Sequence, residues 1–172
     1  RRSSDLEYKK LEPLEVARKE KLIYEDKVNE AIELINNSKK PFIYVGGGAI
    51  TSDASEEVIE LAEKINSPIC NSLMGIGVVP KGHPLLTGMI GMHGTKASNI
   101  SATKCDLFIA LGARFSDRVI SNPENLSNAK ILHIDVDPAE INKNIKVDLS
   151  VVGDLKLVLQ RILRSEERRV GK

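Results

Sequence analysis

Two kinds of apolar pattern take turns along the chain. In "YEDKVNEAIELINNSKK", Val28, Ala31, Ile32 and Ile35 recur at the three- and four-residue spacing of one helical stripe. "PFIYVGGG" is different: a short unbroken apolar run, partly β-branched and halted by glycines, which predicts a strand buried on both faces. "SDASEEVIELAEKIN" returns to the helical period. Val58, Leu61, Ala62 and Ile65 face inward, Glu56 and Glu57 fall in the first turn, and Ser52 or Asp53 is the candidate cap. "SPICNSL" predicts a second strand and "GTKASNISATK" a short helix behind Thr95. "CDLFIALGAR" is the most hydrophobic run of all. "AKILHIDVDP" is a strand stopped by Pro138, and "VDLSVVGD" is one more, leading into the helix "LKLVLQRIL".

Short apolar strands alternating with helices require a parallel sheet covered on both faces. With right-handed crossovers this is an α/β, three-layer, Rossmann-like sandwich. The two ends depart from the pattern. "RRSSDLEYKK" and "RSEERRVGK" crowd charges together with little apolar periodicity, so residues 1–19 read as a linker or foreign segment and 164–172 as a tail. The foldable domain is expected over 20–163.

Composition adds mainly exclusions. The 172 residues are enough for one core, with 41% hydrophobic and 28% charged residues. A formal net charge of +1 provides no field to attract nucleic acid or an anionic membrane, and 3% aromatic residues provide no base-stacking platform. No apolar run reaches the length of a membrane span and no signal peptide is visible. Cys70 and Cys105 lie in apolar segments without metal spacing. They read as reduced core thiols of a cytosolic protein, with a disulfide between them as the alternative.

In a sheet of this kind ligands bind beyond the carboxyl ends of the strands. Unusual polarity gathers at those ends: Gly46-Gly47-Gly48 after the first strand, Asn71-Ser72-Leu73-Met74-Gly75 after the second, then Gly112-Ala113-Arg114, Asp135-Val136-Asp137 and Gly153-Asp154. One glycine-rich end is an ordinary turn. Five on one edge point to a nucleotide-type ligand. A nicotinamide dinucleotide fits poorly. In "GGGAIT" Thr51 stands where a third Gly or Ala is needed, and Asn71 and Ser72 occupy the region of the ribose-binding acid. Glycines and a helix N-terminus still favour the diphosphate of another dinucleotide.

The blocks "PFIYVGGGAI", "NSLMGIGVVPKGHPLLTGMIGMHGTKASN", "CDLFIALGARFSDRV" and "ILHIDVDPAEINKN" resemble the central domain of the acetohydroxyacid synthase (biosynthetic acetolactate synthase) large-subunit family. The likeness covers roughly residues 20 to 163. "GMHGTKASN" and "GARFSDRV" are its most specific parts, whereas "HIDVDPAEI" is shared more widely among thiamine-diphosphate enzymes. The family's usual block is GARFDDRV, so Ser116 replaces an Asp and loses a charge there. Ser72 stands where the family often has Thr and keeps the hydroxyl.

The resemblance implies a domain that holds FAD. The family's contacts fall on Gly46, Gly47, Gly48, Ser72, Leu73, Ile90, Gly91, Met92, His93, Gly112, Ala113, Arg114, Phe115, Ser116, Asp135, Val136, Asp154 and Leu155. Backbone amides and Arg114 then face the diphosphate, Asp135 or Asp154 accepts from the adenosine, and Met92 lies against a flat ring. His93 has no metal-ligating partner at helical spacing and no carboxylate nearby in sequence, so it is most simply a cofactor-pocket residue. His83 is expected in a loop and His133 as a satisfied core histidine. Lys39, Lys40 and the mixed charges of residues 15–30 are expected on a solvated helix face. Arg118 is expected to face the substrate channel of a whole enzyme.

In the resembled enzymes two pyruvates, or pyruvate and 2-oxobutyrate, condense with loss of carbon dioxide in branched-chain amino-acid biosynthesis. Thiamine diphosphate and Mg²⁺ carry that chemistry in flanking domains. No GDG metal motif is present: in "VGDLK", Leu155 follows Gly153-Asp154. The chain is therefore expected to be an inactive piece of a cytoplasmic transferase, with no catalytic residue and no metal ligand of its own. Its partners would be the flanking domains, a homodimer or tetramer of the full enzyme, and a small regulatory subunit. The rival readings are the middle domain of a redox flavoprotein such as pyruvate oxidase, and a structural middle domain that binds nothing.

Overall fold

The computed structural model describes residues 23–116, residue 119 and residues 126–170; for 166–170 only the helical backbone is described. The elements are α1 (Glu25–Asn36), β1 (Pro41–Val45), α2 (Gly47–Thr51), α3 (Ser55–Lys64), β2 (Ile69–Asn71), β3 (Leu86–Met89), α4 (Lys96–Lys104), β4 (Leu107–Leu111), β5 (Lys130–Asp135), β6 (Leu149–Val152) and α5 (Leu155–Val170). Leu73–Gly75 and Pro138–Glu140 form 3₁₀ turns. The six strands make one sheet in the order β3-β2-β1-β4-β5-β6, and every neighbouring pair is parallel.

Alternation along the strands divides the core into two layers. Ile43, Val45, Ile109, Leu111, Leu132 and Ile134 face α1, α3 and α5, which supply Val28, Ile32, Val58, Leu61, Val158 and Leu159. Phe42, Tyr44, Phe108 and Ala110 face the other way, onto Ala102 of α4 and onto Phe115 and Leu126. There Phe42, Tyr44, Phe108 and Phe115 contact one another edge-on or tilted, with centroids 5.8–6.2 Å apart. Full burial of such a side chain stabilises by about 1.5–3 kcal/mol, so this second layer is no mere cover for the first.

The expected α/β sandwich with helices on both faces is present, and the four predicted inward residues of α1 are all buried. Several local expectations change. β3 escapes the pattern because it is four residues long, half-buried, and interrupted by Gly88 at φ 99°. The glycines after β1 open a one-turn helix, α2. Neither Ser52 nor Asp53 caps α3. Ser52 donates its hydroxyl back to the Gly48 carbonyl (2.8 Å), Asp53 takes a left-handed φ of 52°, and Ala54 precedes the helix without a side-chain cap. Ile65 lies just past the last turn of α3 and is only half-buried. α5 continues through the residues expected as a tail, as far as Val170. Residues 1–22 and Arg118 lie outside the described residues, as do the readings attached to them.

Among the described residues no helix is long and apolar enough to cross a membrane. Cys70 and Cys105 are both free and buried.

Candidate functional site

From β1 the chain winds outward through β2 to β3. It then returns to lay β4 on the other side of β1 before moving on to β5 and β6. The loops leaving β1 and β4 therefore part in opposite directions, which leaves a crevice at their carboxyl ends. The structure has a cleft there of about 750 Å³, well within the size of small-molecule sites. Tyr44, Gly46–Gly48 and Ile50–Ser52 line it from the β1 side, with Ser72 and Met74 beyond them. Gly112–Arg114, Ser116 and Val119 line it after β4, Asp135–Asp137 and Glu140 after β5, and Asp154 and Leu155 after β6.

The glycines form the cleft floor by close packing. A Cβ on Gly48 would stand 2.8 Å from the Gly112 Cα, and Gly112 itself has φ 55°. The backbone here is already committed. Gly46 N–H donates to Leu111 O (3.0 Å), Gly48 N–H to Gly112 O (3.0 Å) and Gly112 N–H to Ile134 O (2.9 Å). These three amides thus hold the loops to the sheet rather than facing a diphosphate, contrary to the simplest sequence expectation.

Below the β4 loop lies a buried polar layer. The Tyr44 hydroxyl donates to Arg114 O (3.3 Å). Burial pushes its pKa well above the usual range, so the phenol keeps its proton. His133 is fully buried, and its Nε2 lies 3.0 Å from Ala113 O. The Phe115 ring meets it edge-on, 5.1 Å between centroids. The expectation of a satisfied core histidine holds for only one nitrogen, because Nδ1 is buried without a hydrogen-bond partner among the described residues.

Asp135 links this layer to the cleft. One oxygen accepts from Asp137 N–H (2.9 Å), and the other lies 3.7 Å from His133 Nε2. Burial pushes its pKa up, but hydrogen bonding with His133 and with the Asp137 and Val136 N–H groups outweighs this and holds it below the ordinary carboxylate value. Asp135 is therefore ionised at neutral pH.

Charge is divided across the cleft. Asp135, Asp137, Glu140 and Asp154 line the β5–β6 half, and Arg114 is the one cation among the described lining residues. Its side chain is 75% exposed, with Nε 3.6 Å from Glu140 Oε1. Glu140 also receives Lys143 Nζ (2.8 Å), and Asp154 accepts Leu157 N–H (3.1 Å) at the start of α5. The β1–β2 half carries hydroxyls and apolar side chains instead. A ligand with hydroxyl or amino donors at one end and an anionic centre near Arg114 matches this arrangement.

Of the residues singled out in the sequence, Gly46–Gly48, Ser72, Gly112–Arg114, Ser116, Asp135, Val136, Asp154 and Leu155 come together around the cleft. Six do not line it. Leu73 is 70% exposed beside Met74. Phe115 and Ile90 are buried, and Ile90 N–H donates to Asn71 O (3.3 Å). Gly91, Met92 and His93 form a separate loop at the end of β3, with Met92 and His93 exposed. That loop is pinned by Asn99, which accepts from Gly91 N–H (2.9 Å) and donates to Gly91 O (3.1 Å). Thr95 caps α4 by accepting from Ser98 N–H (3.1 Å) and donates to Thr87 O (2.7 Å). His83 lies in a turn, with Nε2 3.4 Å from Glu63 Oε1.

Sequence reasoning passed over Tyr44, Ile50 and Glu140, and it placed Met74 at a strand end without making it a contact. Tyr44 looked like one more core strand residue, and its place directly before the glycines was the available signal. Met74 and Glu140 sit in 3₁₀ turns, whose direction no periodicity reveals. Among the described residues no group of three or more His, Cys, Asp or Glu side chains could hold a metal ion.

Comparison with known proteins places these features in context. The model of the family described as thiamine pyrophosphate (thiamine diphosphate) enzyme, central domain, matches residues 28–162. A probable acetolactate synthase large subunit of Methanocaldococcus jannaschii is 52% identical over 137 residues, covering 79% of this chain and 23% of the relative. The acetolactate synthase large subunit of Cyanidium caldarium is 46% identical over 134 residues (77% and 23%), and that of Haemophilus influenzae 41% over 141 residues (81% and 25%). The chain thus spans about a quarter of the length of these relatives.

Proposed function

Since the chain belongs to the family of thiamine pyrophosphate enzyme central domains, we propose that it is the FAD-holding middle domain of an acetolactate synthase catalytic subunit. The whole enzyme would condense two pyruvates, or pyruvate and 2-oxobutyrate, with release of carbon dioxide. Both the family and the relatives' names support that activity. Thiamine diphosphate and Mg²⁺ would be held by the flanking domains of a cytoplasmic homodimer or tetramer, with a small regulatory subunit as a further partner.

The observation that carries the flavin reading is the cleft at the switch point between β1 and β4, with its floor of mutually packed glycines. Asp135, ionised and fixed by Asp137 N–H, would accept from ribose hydroxyls, with Asp154 at the neighbouring strand end. Arg114 would meet the diphosphate, and Met74 and Ile50 would shield the apolar side of the ligand from water. A dinucleotide running on past β2 would reach Leu73, then Met92 and His93 at the end of β3. FAD supplies a redox-active ring when bound, but the condensation is redox-neutral overall, so this chain's residues serve to bind and orient it.

The test is a fluorescence titration of these 172 residues with FAD, together with an assay of the full-length enzyme. We expect flavin quenching by the domain, no acetolactate from it even with thiamine diphosphate and Mg²⁺, and acetolactate from the full-length protein. Absence of flavin from both forms would favour a middle domain that binds nothing. Bleaching of enzyme-bound flavin on anaerobic addition of pyruvate would favour a redox flavoprotein.

A further inference from the structure

His133 is buried on the sheet face directly below the cleft loop, where an imidazole is costly unless it is needed. Its Nε2 faces two acceptors, the Ala113 carbonyl at 3.0 Å and Asp135 Oδ2 at 3.7 Å. That nitrogen must therefore carry a proton, while Nδ1 is buried with no partner among the described residues. Leaving Nδ1 orphaned is tolerable only if Nε2–H earns its place.

What Nε2–H holds is a peptide plane. The Ala113–Arg114 bond is trans, since no cis peptide occurs among the described residues. In a trans peptide the carbonyl of one residue and the N–H of the next point in opposite directions. With the Ala113 carbonyl turned down onto a fully buried ring, the Arg114 N–H is turned up, toward the side on which Ala113 and Arg114 line the cleft. The next plane is fixed as well, because the Arg114 carbonyl receives the Tyr44 hydroxyl at 3.3 Å and Ser116 N–H at 3.2 Å.

We infer that His133 is a positioning residue that aims the Arg114 backbone N–H into the cleft, so that Arg114 presents both its amide and its guanidinium to one phosphate-type anion. The inference rests on the flavin reading for the identity of that anion, but not for the orientation of the peptide. It also adds a backbone donor for a diphosphate to a cleft in which the Gly46, Gly48 and Gly112 amides are already committed.

The experiment uses the wild-type chain, His133→Gln and His133→Leu. A Gln side-chain amide can donate from nearly the same place as Nε2. Leu fills similar space and donates nothing. FAD titration should give similar affinity for wild type and His133→Gln, and a loss of about tenfold for His133→Leu, with all three chains melting cooperatively. Inorganic pyrophosphate should shift the Arg114 amide resonance in wild type and His133→Gln more than in His133→Leu. In the unliganded wild type, imidazole ¹⁵N spectra should show the Nε2–H tautomer, and the Arg114 amide should move in His133→Leu more than amides of α1.

Equal FAD affinity for His133→Leu and wild type, or an Nδ1–H tautomer, overturns the inference. If wild type binds neither FAD nor pyrophosphate, the flavin reading fails. The unliganded spectra then decide the peptide orientation alone, and an unmoved Arg114 amide in His133→Leu refutes it. Should His133→Leu fail to fold, the comparison passes to Tyr44→Phe, which removes the cleft-lining hydroxyl that donates to the Arg114 carbonyl and should weaken FAD by a smaller factor. Full affinity in that variant counts against the inference.

Discussion

Gly46 and Gly112 approach so closely at the ends of β1 and β4 that a Cβ on Gly46 would stand 2.3 Å from the Gly112 carbonyl oxygen. The obstacle is backbone rather than the end of a flexible side chain, so nothing nearby can yield cheaply. Gly46→Ala should cost more than about 2 kcal/mol in urea unfolding, as overpacking against fixed atoms does. Gly77→Ala is the control. Its φ of 101° strains any side chain, but nothing lies within 4 Å, so a loss nearer about 1 kcal/mol is expected.

His93→Ala and Thr95→Ala separate the two roles packed into the β3–α4 loop. Thr95 caps α4 and ties it to β3, so Thr95→Ala should lower stability by about 1 kcal/mol. His93 is exposed, and its removal should change the melt by no more than about 0.5 kcal/mol. Any effect of His93→Ala should appear in flavin titration and be smaller than that of Arg114→Ala, which deletes a charge-assisted contact. A His93→Ala chain that unfolds would mean that the loop is structural.

Asp106 ties the α1–β1 turn to the start of β4 by accepting from the Ser38 hydroxyl and from Lys39 N–H (2.8 Å) and Lys40 N–H (3.0 Å). Burial pushes its pKa up, but these hydrogen bonds together bring it below the ordinary carboxylate value. A carboxylate held low in the folded state adds stability above its unfolded pKa, near 4, and that contribution fades as pH falls through the lower folded value. Asp106→Asn should therefore cost about 1 kcal/mol at pH 7, after allowance for solvent screening. It should also flatten the acid limb of the stability curve below about pH 4. Thermal melts from pH 7 to pH 2.5 measure this, and an unchanged acid limb would remove Asp106 as its cause.

Both thiols should resist modification in the folded protein. Burial pushes the Cys105 thiol up to about 12, and desolvation raises Cys70 well above the ordinary thiol value, with Cys105 adding to the rise. A disulfide-exchange reagent at pH 8 should label neither until denaturant is added. Rapid labelling of the native chain would show that the second core layer opens readily.

Much of the fold was legible because burial on both faces leaves a one-dimensional trace. Val28, Ala31, Ile32 and Ile35 had to lie together once their segment was helical, and "LFIAL" had to be a central strand. β3 left no such trace, since a short half-buried edge strand with Gly88 inside it need not be apolar. The cap of α3 was misread for a related reason. Ser52 has the chemistry of a cap, but α2 intervenes and takes its hydroxyl first.

By itself the sequence determined the alternation of strands and helices, the gathering of unusual residues at strand ends, and through its motif blocks the family. Only the tertiary structure decided which strand ends meet. The order β3-β2-β1-β4-β5-β6 brings Gly46, Gly112, Asp135 and Asp154 around one cleft and leaves Met92 and His93 two strands from β1. It also decided what the glycine amides do and where the Ala113 carbonyl points. Both depend on a neighbour far away in the chain, and periodicity reports only a residue's own face, never its partner.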